Sequence, residues 1–158
     1  SYYKDLLKEN DFIFLLSLLI IDDNDNLDYF LYKFNISKQN QKRMKIIDNF
    51  YKEKITVKTF IEKNMDKVLY YHGKQAVLDI LNFRIIKSKK IDKTLIELSQ
   101  TYKSKTIPSM PISADLLMKK YNIPEGKQLG EKLKTIEQIW VKNDFKISDQ
   151  QVDNIINN

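Results

Sequence analysis

The sequence predicts an all-α fold: an irregular multi-helix bundle over residues 1–105, followed by a small helical tail over 106–158, with no sheet. Three observations lead there. Apolar residues recur at spacings of three and four in almost every segment, the period of a helix with one packed face. No segment sustains the apolar-polar alternation of a half-buried strand. Two of the three prolines and two of the three glycines fall between Pro111 and Trp140, where they punctuate two short helical patterns.

Taken in order, Tyr3 to Ile21 predicts a first, strongly apolar helix, ended by the turn-forming run Asp22-Asp23-Asn24-Asp25-Asn26. Leu27, Phe30, Leu31 and Phe34 form a short second stripe. Ser37 is a cap for a third helix that packs Met44, Ile47 and Tyr51 and leaves Lys38, Lys42, Arg43 and Lys45 around the remaining surface. A short fourth runs from Thr56 to Asn64. Lys67 to His72 ends at Gly73, and Gln75 to Lys87 starts again with Ala76, Val77, Ile80, Leu81 and Phe83, two helices expected to pack as neighbours. Another follows from Ile91 to Tyr102. Thr106 to Pro111 then breaks the pattern and marks a hinge. Ser113 caps a helix over Ala114 to Tyr121, Asn122 closes it, and Pro124-Glu125-Gly126 turns the chain into a helix from Lys127 whose packed face is Leu129, Leu133, Ile136 and Trp140. Ser148 caps a last polar helix to Asn158, expected to fray.

Composition narrows the chemistry. A chain of 158 residues is long enough to bury roughly 70% of its unfolded surface. With no cysteine there are no disulfides or thiolate metal sites, and one histidine excludes any site built on two imidazoles, a His-Asp phosphohydrolase included. No Walker loop or dinucleotide fingerprint occurs. The longest apolar stretch, Phe12 to Ile21, has ten residues, short of the roughly 20 that cross a bilayer, and nothing reads as a targeting signal. No membrane association and a cytoplasmic location are expected. Ser1 in place of Met suggests a piece of a longer protein.

The net charge of +6 suits a polyanionic partner, because lysines near phosphates release counterions. The lysines are spread along the chain, 25 of the 27 basic residues being Lys, and the abundance of Ile, Asn and Tyr points equally to an AT-rich coding sequence.

Three segments together resemble a known family. They are Leu69-Tyr70-Tyr71-His72-Gly73-Lys74-Gln75-Ala76-Val77-Leu78-Asp79, Pro111-Ile112-Ser113-Ala114-Asp115-Leu116-Leu117, and Ile123-Pro124-Glu125-Gly126-Lys127-Gln128-Leu129-Gly130, with Trp140 and Asn143-Asp144-Phe145 downstream. This set is similar to the carboxyl-terminal part of bacterial tRNA nucleotidyltransferases, which include CCA-adding enzymes and the related poly(A) polymerases. Phe34-Asn35-Ile36-Ser37 followed by Arg43 looks like the family's body segment. The resemblance implies a helical body and tail that hold tRNA, with magnesium and CTP or ATP bound by a catalytic head of the same enzyme, and no cofactor in this chain.

Catalytic groups are expected to be missing here. Nucleotidyl transfer needs paired carboxylates that hold metal ions, and the family places them behind a Gly-Ser turn on a sheet. Asp23-Asn24-Asp25 has the Asp-x-Asp pattern but neither the turn nor strands, and without a glycine at the bend or a closing glutamate it also fails as a calcium loop. It reads as a solvated turn. The family's base-selecting motif, an acidic pair followed by arginine, is absent around both Arg43 and Arg84. His72, beside Gly73 on an apolar-aromatic helix end, reads as structural.

The candidate RNA-binding residues are therefore phosphate contacts. A helix entered through Pro124-Glu125-Gly126 leaves amides at Gly126, Lys127 and Gln128 at the positive end of its dipole. Gly130, one turn in, admits either a phosphodiester or a neighbouring helix. Lys119, Lys120, Lys127, Lys132 and Lys134 surround the turn, and Lys38, Lys42 and Arg43 are candidates on the third helix. Trp140 and Tyr70-Tyr71 invite base stacking, but their helical positions favour core packing. The competing reading is a helical protein-interaction or oligomerisation module, without a nucleic-acid role, whose contact is Phe12 to Ile21.

Overall fold

The computed structural model describes residues 2–53, 63–88, 90 and 92–157. Among the described residues there are nine helices and no strand: α1 (Tyr2–Glu9), α2 (Phe12–Ile20), α3 (Asn26–Lys33), α4 (Lys38–Lys52), α5 (Lys63–Lys87), α6 (Lys93–Ser104), α7 (Ala114–Tyr121), α8 (Lys127–Lys142) and α9 (Asp149–Asn157). They form two compact units, Ser1–Ile107 and Pro108–Asn158.

Local side chains start most of these helices. Asp11, Ser37, Asp92 and Ser113 accept from the amides of Phe14, Asn40, Thr94 with Leu95, and Leu116 respectively, each satisfying first-turn donors that have no partner inside the helix. Ser148 and Gln151 form a reciprocal pair at the start of α9, the hydroxyl accepting from the Gln151 amide and the Gln151 side chain accepting from the Ser148 amide.

The first segment differs from its sequence expectation. Tyr3 to Ile21 is two helices, because Asp11 turns its carboxylate onto the Phe14 amide (3.0 Å) while Asn10 Nδ2 donates to the Leu6 carbonyl (2.6 Å). Such short polar side chains compete with the backbone ladder wherever two stand together. Gly73 (φ +82°, ψ 174°) leaves helical geometry and divides α5 at a kink, so the two arms of α5 are the two helices expected on either side of it. The Thr56 to Asn64 expectation lies outside the described residues except for 63 and 64, which open α5; Ile91 lies outside them as well.

Unit 1 has two apolar cores that meet along α5. One gathers Leu6, Leu69, Val77, Leu81, Leu95 and Tyr102 from α1, α5 and α6, and the other Phe14, Leu27, Met44, Ile47 and Phe83 from α2 to α5. Full burial of each such side chain is worth about 1.5–3 kcal/mol. Two polar pairs tie α6 to α5 within these cores, Ser99 Oγ donating to Asn82 Oδ1 (2.9 Å) and Tyr102 Oη to Asp66 Oδ1 (2.6 Å), whereas Asp48 Oδ1 on α4 is buried without a hydrogen-bond partner among the described residues.

One charged cluster fixes the arrangement of α2, α4 and α5. Asp79 is fully buried and accepts from Arg43 Nε (2.5 Å), Arg43 Nη2 (2.9 Å) and Gln75 Nε2 (2.9 Å), while Arg43 Nη1 reaches the α2 cap Asp11 at 2.6 Å. A planar fork on a carboxylate leaves little rotational freedom at either end. This corrects the candidate role of Arg43 as an RNA contact: its guanidinium is half-buried and its donors are engaged by two carboxylates.

Unit 2 is built on Leu117, Ile123, Leu129, Ile136 and Val152, with α8 packed against both α7 and α9. The final helix is less polar than its sequence suggests: Val152 is buried, Ile155 and Ile156 join the same core, and Lys132 Nζ donates to the Ile155 carbonyl (2.9 Å).

Replacing Asp79 by Asn removes the buried partner of Arg43 and leaves it only the exposed Asp11 carboxylate, which is expected to cost about 3 kcal/mol, read as a lowered midpoint in urea unfolding; the double change Arg43→Met/Asp79→Leu recovers much of that loss. A second expectation concerns acid. The Arg43 guanidinium holds the Asp11 carboxyl below the ordinary carboxylate range, against a smaller opposing effect of burial. That link contributes stability above about pH 4, the unfolded value, and is lost as the pH falls through the lowered one. Asp11→Asn keeps the cap but removes the charge, so the stability of the variant should fall less steeply than that of the parent below pH 4.

Candidate nucleic-acid interface

The corner between α7 and α8 is assembled from backbone requirements. Asn122 ends α7 in the left-handed conformation (φ 55°, ψ 32°), a role short polar side chains tolerate. Ile123 then dips into the core of unit 2, Pro124 and Glu125 carry the chain back to the surface, and Gly126 opens α8 at φ +148°, ψ −165°, a region open essentially to glycine alone. No side chain caps α8. Its first internal bond is Gly130 N to Gly126 O at 3.2 Å, so the amides of Lys127, Gln128 and Leu129 find no acceptor within the helix, at the positive end of its dipole.

Gly130 lies on the exposed surface of the first turn of α8, and a Cβ built there meets nothing within 4 Å. The helix-packing reading of Gly130 is thus set aside. Glycine inside a helix costs about 1 kcal/mol relative to alanine, and no neighbour within the described structure offsets that cost.

The lysines around the corner differ in what they offer. Lys127 is 92% exposed, and its ammonium stands 3.7 Å from Glu131, a surface pair of small energetic weight. Lys134, on the same face, is exposed, as is Lys119. Lys120 is also exposed and lies over the Tyr121 ring at 5.0 Å, while Tyr121 donates its hydroxyl hydrogen to Asp153. Lys132 is half-buried and donates to the Ile155 carbonyl in the last turn of α9. Residues 108–158 hold seven lysines and seven carboxylates, so the corner is locally cationic on a unit that is neutral as a whole.

In unit 1, Lys38, Lys42 and Lys45 are exposed and share one stripe of α4, opposite Met44 and Ile47. Lys42 lies near His72, whose imidazole is held below its ordinary value first by burial and then by that ammonium. Tyr70 and Tyr71 pack edge to face at 5.2 Å, and Trp140 is buried with its ring edge to face with Phe145 at 4.9 Å.

The sequence matches the family model of tRNA nucleotidyltransferase domain 2 over residues 5–153. The chain belongs to this family. No curated protein and no solved structure matches it. Membership agrees with the resemblance carried by Leu69 to Asp79 and by the corner motif, and it spans both units.

Among the described residues no group of three or more His, Asp or Glu side chains could hold a metal ion. Asp22 is engaged with the amide and side chain of Asn24 and with Asn26, and Asp25 pairs with Lys52 at 3.3 Å. The Asp23-Asn24-Asp25 turn therefore does not fit a magnesium site. Among the described residues, no helix is long and apolar enough to cross a membrane.

One signal escaped the count of lysines: residues 29–47 contain four lysines and Arg43 but no Asp or Glu, so this stretch alone carries +5, whereas 1–107 carry 20 basic against 14 acidic residues. The missing carboxylates, not the lysines, mark it.

Two glycine substitutions should act in opposite directions on stability. Gly126→Ala forces a side chain into a disfavoured backbone conformation and should cost about 1–3 kcal/mol, whereas Gly130→Ala should raise stability by about 1 kcal/mol. Thermal unfolding of each variant checks both signs.

Proposed function

We propose that this domain holds tRNA and positions its 3′ end for nucleotide addition by a catalytic head, to which magnesium and CTP or ATP belong. Duplex RNA is gripped by shape and phosphate contacts rather than by sequence. The observation that carries the reading is the corner of unit 2: uncapped amides at Lys127 to Leu129, Gly126 and Gly130 with open space above them, and exposed Lys119, Lys120, Lys127 and Lys134 alongside. A sugar-phosphate edge can approach the bare backbone and accept its hydrogen bonds at the positive helix end. Lys38 and Lys42 on α4 supply further cationic contacts, and the intracellular setting of tRNA maturation accords with a cytoplasmic location.

A protein-binding role is favoured for a different surface. Helix α2 contains no charged residue, and Phe12 and Leu19, on one face with half-buried Leu15 and Leu16, are 72% and 82% exposed. An uninterrupted apolar face of this kind is suited to a protein neighbour, and the catalytic head is the neighbour the reading supplies. Without RNA binding, the same face would support a helical interaction or oligomerisation module.

The decisive experiment is a tRNA titration at several salt concentrations. The logarithm of affinity should fall linearly with the logarithm of salt, and Lys127→Ala or Lys134→Ala should each reduce the slope by about 1. Gly130→Ala should weaken tRNA binding although the protein itself becomes more stable. Salt-independent binding, or binding no tighter than that of an equally basic control protein, would refute the clamp.

A further inference from the structure

Helix α3 buries Leu27 and packs Phe30 and Leu31 against the core of unit 1. Its spacing then leaves Tyr29, Tyr32 and Lys33 together on the opposite arc. Tyr29 is 64% and Tyr32 91% exposed, so two large ring faces lie in water where burial would ordinarily stabilise the fold. The Lys33 ammonium stands 5.6 Å from the centre of the Tyr29 ring and 3.4 Å from its hydroxyl oxygen, pairing cation with ring. Immediately downstream, Phe34 stays partly exposed while its ring lies 4.7 Å from that of Phe30. The exposed stripe of Lys38, Lys42 and Lys45 follows on α4, which packs against α3. The rings and lysines of this surface all fall within the carboxylate-free stretch 29–47.

We infer that the outward face of α3, continued by the lysine stripe of α4, is a platform on which unpaired RNA bases stack while their phosphates follow the lysines. The inference rests on the RNA-holding reading and adds the strand type and the surface. Stacking on exposed rings, coupled to a cationic track, binds single strands with little regard to sequence, since every base has a ring face to offer. A base-paired stem keeps those faces hidden and offers shape and phosphate instead. The contrast with α2 separates this surface from a protein-docking face: α2 presents apolar side chains without a polar atom, whereas α3 presents hydroxyls and an ammonium within a local charge of +5. The acidic groups Asp22, Asp23, Asp25 and Asp28 cluster toward the amino end of α3, which directs a phosphate backbone to its carboxyl end and onto α4.

The test uses the full chain with two fluorescent probes, an oligouridylate of about ten nucleotides and a blunt RNA hairpin stem. Tyr29→Ala/Tyr32→Ala should lower affinity for oligouridylate by about tenfold or more, equivalent to about 1.4 kcal/mol, and leave hairpin affinity within about twofold. Tyr29→Phe/Tyr32→Phe, which keeps both rings, should retain oligouridylate binding, and an unchanged thermal midpoint in both variants excludes a folding defect. Unchanged oligouridylate binding in the alanine variant, or equal loss on both probes, would overturn the platform while leaving the tRNA clamp standing. A change in solution mass without any change in RNA affinity would assign the face to a protein partner and also overturn it. If the unsubstituted chain binds neither probe, the RNA-holding reading itself has failed, and the platform with it.

Discussion

The buried fork of Arg43 on Asp79 is the constraint on which unit 1 depends. It joins the middle of α4 to the part of α5 that follows the Gly73 kink and, through Asp11, reaches the first turn of α2. Its geometry also settles which way α4 faces. With Arg43 turned inward and Met44 and Ile47 in the core, the helical period leaves Lys38, Lys42 and Lys45 no direction but outward. One internal ion pair thus creates an external cationic stripe. Such a pair contributes little net stability compared with apolar packing but penalises every arrangement in which one partner is left alone, and so it specifies register more than it adds strength.

Unit 2 solves a different problem. Lacking net charge, it has no bulk attraction for a polyanion, and its means of contact are the exposed backbone of the first turn of α8 and a few adjacent lysines. Amide donors fixed at a helix start need no side-chain ordering when a phosphate arrives. Unit 1 holds the long-range charge. The proposed division of labour follows: unit 1 attracts, and unit 2 seats the backbone at defined positions.

Much of this was legible in the sequence because the deciding interactions are local. Ser37, Ser113 and Ser148 cap helices within three residues, and Asn122 and Gly126 adopt the conformations that their side chains, or the lack of one, allow. What escaped depends on distance or on absence. The role of Arg43 is set by Asp79, 36 residues away, and no local pattern announces that partner. The break at Asn10-Asp11 was concealed by smooth apolar spacing on both sides. Val152, Ile155 and Ile156 were outweighed by the polar residues around them, although their spacing of three and four is that of a packed face. The stripe of Leu27, Phe30 and Leu31 was legible and leaves Tyr29 and Tyr32 outside it, but Phe34, assigned to the same stripe, is exposed because α3 ends at Lys33.

Amide hydrogen exchange of the chain with and without tRNA tests the central claim most directly, because it reads the proposed contacts at the backbone without substituting any residue. The account predicts added protection at residues 126–130 and along residues 33–45, with none on α2. Protection confined to α2, or no change at the corner under conditions where tRNA is bound, would contradict it.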